Sequence, residues 1–131
     1  MSRSKFLRSV LALDALSCAA MGAGLSLGAG LLAPLFGLPE GFVRGAGLAL
    51  LPVAAFIGFA ASRAVPPAAL VWLIILGNLA WTIESLLVPS QFAGSITGLG
   101  IAFTLAQAAF VLVMSAREYA GLKRVGQQVA A

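Results

Sequence analysis

Four apolar blocks, each closed by proline, glycine or charge, constrain this chain more than anything else in it. They occupy about residues 9–32, 45–61, 68–88 and 96–116. A bilayer's hydrocarbon core is about 30 Å thick, and a helix of about 20 mostly apolar residues crosses it. Inside that core every backbone N–H and C=O must be satisfied within the protein, which leaves helices as the natural spanning element here. The second block is short for a crossing unless Phe42 and Val43 join it. The expectation is an all-α fold: an integral-membrane four-helix bundle forming one domain over 1–131, with 117–131 as a short, frayed polar tail. Only 9% of the residues are charged, against about 25% in a typical soluble domain, so a water-soluble bundle is excluded.

The connections are short and carry strong stop signals. Pro34–Arg44 (PLFGLPEGFVR) contains two prolines and two glycines, which prevent a continuous helix. Within it Glu40 and Arg44 are four residues apart, the spacing of an ion pair if a helix begins there. Pro52 marks a possible kink in the second span. Arg63 and Pro66–Pro67 close that span, and Ser90–Ser95 follows Pro89 at the end of the third.

Charge placement predicts orientation. With four spans the termini share a side, and on that side fall Arg3, Lys5, Arg8, Arg63, Arg117, Lys123 and Arg124; the other side has Arg44 alone. In short loops the Lys/Arg excess marks the cytoplasmic side. Both termini are therefore expected in the cytoplasm. A basic start followed by an apolar run also resembles a cleaved leader. Asp14 within the run, the length of the run, and the three further spans argue against cleavage.

The third block carries the polar residues that need a reason. At 100° per residue, with Asn78 at zero, Trp81, Thr82, Glu84 and Ser85 fall with it on one arc of about 160°. Glu84 lies about 9 Å further along the axis than Asn78. An amide or carboxylate facing lipid costs several kcal/mol, so this arc should face the bundle or a partner. Matching depths suggests three pairings: Asn78 with Gln107 of the fourth block, Asp14 with Arg63 or Arg117 at the cytoplasmic rim, and Glu84 with Arg44 at the opposite rim. Structural glue between helices is one reading of this arc. A polar pocket lined by the third and fourth spans, taking a small or lipid-like ligand, is another, and proton-coupled transport using Asp14 or Glu84 is a third. Between a packed and a hydrated arc, the packed one is expected.

Glycines four apart, Gly24 with Gly28 and Gly94 with Gly98, are the pattern that lets membrane helices approach closely. They are expected to serve packing within the bundle, or a contact with a second copy or another membrane protein.

Several chemistries have nothing to stand on. The chain has no histidine and one cysteine, Cys18. That removes the commonest metal ligand and general base, and any intrachain disulfide. No paired catalytic carboxylates, nucleophile triad, phosphate loop or zinc motif occurs. No enzymatic activity, cofactor or metal is expected. The +4 net charge sits at the ends of apolar blocks rather than along a stripe, so membrane lipid, not nucleic acid, is the expected partner. A structural or protein-interaction role is the primary expectation.

The segments Leu35–Pro39, Arg44–Gly47 with Leu50–Pro52, Gly77–Asn78 with Trp81 and Ser85, Ala106–Gln107, and Tyr119 with Gly121–Arg124 resemble a group of small bacterial inner-membrane proteins with four helices. The topology is more distantly similar to DoxX-like membrane proteins. The resemblance implies a four-helix inner-membrane bundle and a bacterial source, and it implies no particular activity. Asn78, Trp81 and Gln107 match the group's recurring polar pattern.

Overall fold

A computed structural model of the chain describes the backbone of residues 2–130 and the side chains of residues 4–126. Five helices follow one another: α1 (Ser2–Leu27), α2 (Ala29–Phe36), α3 (Glu40–Ser62), α4 (Ala68–Gln91) and α5 (Gly98–Ala130). Four of them, α1, α3, α4 and α5, are long and apolar enough to cross a membrane, which makes this a multi-pass membrane protein.

Each long helix buries one stripe. In α3 the buried positions are Val43, Gly47, Leu50, Ala54, Ile57 and Ala60, and in α4 they include Val71, Ile74, Asn78, Thr82, Ser85 and Val88. Steps of three and four keep such residues on one face. The leucines on the opposite faces, among them Leu16, Leu73 and Leu86, are exposed, as expected of helices whose solvent is lipid.

Both termini and the α3–α4 turn gather at one end, here called basal. There Arg8 Nε donates to Ala61 O at 3.2 Å, Gly121 lies against Leu7, and the Trp72 and Tyr119 rings meet at 5.8 Å. The α2–α3 and α4–α5 turns form the distal end. Thr97 clasps them together, its N–H donating to Phe36 O at 3.0 Å and its hydroxyl to Leu35 O at 2.7 Å. Phe36 stacks on Phe103 at 4.7 Å beside this clasp. Around the bundle the order is α3, α1, α5, α4. Helix α1 packs closely on α3 and α5, and α5 on α4, whereas α3 and α4 barely meet.

The first apolar block is not one helix. It bends at Gly28 and continues as α2 through Pro34, which the sequence placed in a connection. Gly37, just past α2, takes the left-handed conformation (φ 68°), with Gly37 N–H on Pro34 O and Leu38 N–H on Ala33 O. This pair of bonds closes the helix end. Helix α3 starts at Glu40 rather than near residue 45. The expected frayed tail is also corrected: α5 runs unbroken through Arg117 to Ala130. At 1.5 Å per residue this is about 50 Å, well beyond the bilayer core.

The glycines that pack are not the ones singled out by spacing. A Cβ on Gly24, Gly94 or Gly98 would meet nothing, and one on Gly28 would meet mainly Gly24 O within its own chain segment. The close crossing is Gly22 on Gly47, where a Cβ on Gly47 would strike Ser26 N, Gly22 O and Leu25 Cβ. Gly100 is equally tight against Phe36 O. The i,i+4 pattern fails because it records helical facing but not which face the bundle uses.

Candidate functional site

The weak contact between α3 and α4 leaves a groove along the bundle, floored by α1 and α5. It has two chambers. The distal chamber, about 380 Å³, is walled by Gly41, Phe42 and Ala46 of α3 and Glu84, Ser85 and Val88 of α4. The basal chamber, about 390 Å³, lies between Val53 and Phe56 of α3 and Leu73 and Gly77 of α4. Met21, Trp81 and Gln107 line both. The lining is overwhelmingly apolar, and each chamber falls within the range of small-molecule sites.

Three glycines hold the walls open. Gly41 and Gly45 line the distal chamber and Gly77 the basal one, and a Cβ on any of them would meet no other atom within 4 Å. Glycine in a helix interior costs about 1 kcal/mol relative to alanine. None of the three packs against a neighbouring helix, and Gly45 and Gly77, which lie inside their helices, leave the groove wide at the expense of helix stability.

Two polar clusters sit on the groove floor. At its waist Trp81 Nε1 donates to Gln107 Oε1 at 2.9 Å, and Gln107 Nε2 donates to Ser85 Oγ at 2.7 Å and to Thr104 O at 3.0 Å. This ties α4 to α5. Thr82 is buried but turns back to its own helix, donating to Asn78 O at 2.9 Å. Glu84 is exposed at the distal mouth. The sequence-derived arc is therefore divided: Trp81 and Ser85 join Gln107, Asn78 goes elsewhere, and Glu84 remains at the rim.

Asn78 forms the second cluster. Its amide donates to Asp14 Oδ2 at 2.8 Å and to Glu118 Oε1 at 2.9 Å, knitting α4 to α1 and α5 in one step. Cys18 Sγ approaches Asp14 Oδ1 at 3.7 Å. Asp14 is 1% and Glu118 0% exposed. The expected Asn78–Gln107 bond is corrected: each amide has different partners, because Asn78 faces the carboxyls of its neighbours while Gln107 lies one to two turns more distal.

The depth-matched rim pairings are corrected too, while the expected Glu40–Arg44 pair forms. Among the described residues the single ion pair is Arg44 Nη1 with Glu40 Oε2 at 2.9 Å. Asp14 reaches neither Arg63 nor Arg117, because it points into the bundle while Arg63 and Arg117 are exposed. Arg63 lies instead over the Phe59 ring. Arg44 is taken by Glu40 on its own helix, leaving Glu84 without it.

Sequence reasoning missed Glu118 by assigning it to a tail. The signal was present: Glu118 lies eleven residues after Gln107, a rotation of about 20° on a helix, so both share one face. Extending the wheel beyond Arg117 finds it.

These features define a class: a four-spanning membrane bundle with a lateral apolar groove and a buried carboxyl–amide cluster beside it. Compared with family models, with curated proteins and with solved structures, the chain matches none.

Proposed function

We propose that the protein binds a single-chain amphiphile, its apolar chain lying in the groove between α3 and α4. The observation that carries this is the glycine-opened wall: Gly41, Gly45 and Gly77 face empty space on both sides of a groove that no helix of the chain closes. From Leu73 to Val88 the groove follows α4 for about 22 Å, more than the half of a 30 Å core that one leaflet's chains occupy. A chain, rather than a compact molecule, suits that shape. The groove opens sideways, so the occupant enters from the lipid phase. At the distal mouth the exposed group is the Glu84 carboxylate, an acceptor when ionised. It suits a hydroxyl or ammonium head and disfavours a carboxylate one.

This reading makes the groove more than the packed interface expected first. The structural role is retained by the two polar clusters, which tie helices together on the floor. The orientation proposed is basal side in the cytoplasm of a bacterial inner membrane, supported by seven of the eight Lys and Arg residues lying at that end. Reporter fusions at the two termini test it, and an outward-facing terminus overturns it.

Native mass spectrometry tests the binding. The detergent-solubilised protein, given a long-chain alcohol or amine, should retain one molecule. Gly45→Phe with Gly77→Phe should retain none while keeping its helical content. Equal retention by the filled variant would refute the groove as the site. Preference for a long-chain carboxylate would refute the role of Glu84.

A further inference from the structure

We propose that Asp14 and Glu118 together form a proton-binding site, holding one proton between their carboxyl groups. The hydrogen-bond accounting leads there. Asn78 has two amide hydrogens, and both are used, one on each carboxyl. Asp14 Oδ1 has the weak Cys18 thiol contact. Glu118 Oε2 has nothing: among the described residues it is the one buried side-chain oxygen or nitrogen without a partner. Asp14 Oδ2 and Glu118 Oε1 both accept from the one Asn78 side-chain nitrogen, at 2.8 and 2.9 Å, so the two carboxyl groups lie side by side and an acceptor meets an acceptor. A proton on one of them turns that meeting into an O–H···O bond and satisfies the orphan oxygen. It also leaves one charge where two like charges would otherwise lie side by side, buried away from solvent.

Among the described residues no cation does this job instead. The groups facing the pair are Cys18 from α1 and the neutral amide of Asn78 from α4. Helix α3 has no charged residue between Arg44 and its end at Ser62. On α1, Arg8 is exposed and donates to Ala61 O. On α5, Arg117, Lys123 and Arg124 are exposed, with Arg124 over the Phe6 ring. The site joins α1, α4 and α5 at one point, so removing the proton sets like charges against each other at the junction that holds the basal half together. The edge-on Trp72–Tyr119 contact reports on the α4–α5 part of that junction.

Infrared spectroscopy of the solubilised full chain tests the site. At neutral pH the wild type should show a protonated-carboxyl C=O band corresponding to one group. Glu118→Gln, whose amide can donate to Asp14 as the protonated acid does, should lose the band and keep its helical circular dichroism. Asp14→Asn with Glu118→Gln should also lack it. Absence of the band in wild type, or its survival in either variant, overturns the proposal. The second measurement is Trp72 fluorescence in a Trp81→Phe background. Raising the pH should shift its emission in a transition that Glu118→Gln abolishes, and an unchanged transition in that variant overturns the linkage to the helix junction.

Discussion

Replacing Asn78 by leucine should be among the most damaging single changes in this protein, although it makes the chain more hydrophobic. The amide supplies bonds of 2.8 and 2.9 Å to two carboxyls that are essentially sealed from solvent. Its loss leaves Asp14 Oδ2 and Glu118 Oε1 without their donor. An unsatisfied buried acceptor costs about 1–3 kcal/mol. Interhelical bonds in membranes fall near the low end of such ranges, at about 0.6–2 kcal/mol. Two lost bonds therefore predict about 2–4 kcal/mol of destabilisation. The companion variant, with Asp14, Asn78 and Glu118 all changed to leucine, removes donors and acceptors together, and replacing a whole buried polar set is often neutral or stabilising. It should recover most of the loss. Reversible unfolding in mixed micelles, followed by circular dichroism, measures both. A loss below about 0.5 kcal/mol for Asn78→Leu would be less than one interhelical bond is worth, and would show that the two bonds do not hold the helices. A triple variant weaker than the single one would show that the cost is not that of orphaned acceptors.

Other changes separate the packing glycines from the bystanders and the strong contacts from the weak. Gly47→Ala drives a Cβ into Gly22 O and the Ser26 backbone, and should cost about 1–3 kcal/mol as an overpacked contact; Gly24→Ala, which meets nothing, should gain up to about 1 kcal/mol of helix propensity, and the same micelle unfolding assay compares them. Gln107→Leu leaves Trp81 Nε1 and Ser85 Oγ without their partner and should cost about 1–2 kcal/mol, with a shift in Trp81 emission in a Trp72→Phe background; an unshifted spectrum would mean the waist bond is not formed in the membrane. Arg44→Ala breaks an exposed pair, and unfolding should show a change below about 0.5 kcal/mol.

The architecture was legible because the spans are a matter of length and composition. The stop signal at Pro66–Pro67 fell between α3 and α4 for a physical reason, the missing N–H and the ring clash of proline, whereas Pro89 lies inside α4, which continues to Gln91. Pro34 misled: it lies inside α2, where the bend at Gly28 and the Gly37 cap absorb its effect. The wheel through Asn78 identified a real inward face, since Asn78, Thr82 and Ser85 are all buried. It did not identify partners. Depth alone matched Asn78 with Gln107, yet partner choice depends on which helices are neighbours, and short antiparallel connections do not determine that order. Helix α3 follows α2 and precedes α4, but it packs on α1 and leaves α4 across a groove. That groove arises from the absence of a helix contact, and absent contacts leave no periodic pattern in a sequence. Only the open-faced glycines Gly41, Gly45 and Gly77 carried a trace of it, and among 15 glycines they could not be told from those at Gly22 and Gly47 that do pack.

Whether the groove takes one chain of an amphiphile beside Trp81 can be read directly from that residue. The Trp72→Phe protein leaves Trp81 as the only tryptophan. Its fluorescence should be quenched by a chain-brominated long-chain alcohol added at low mole fraction to unbrominated micelles. An occupied groove gives saturable quenching with a stoichiometry of one, lost when Gly45 and Gly77 are both changed to phenylalanine. Quenching that rises in proportion to mole fraction without saturation, and equally in the filled variant, would mean that the groove holds no such chain.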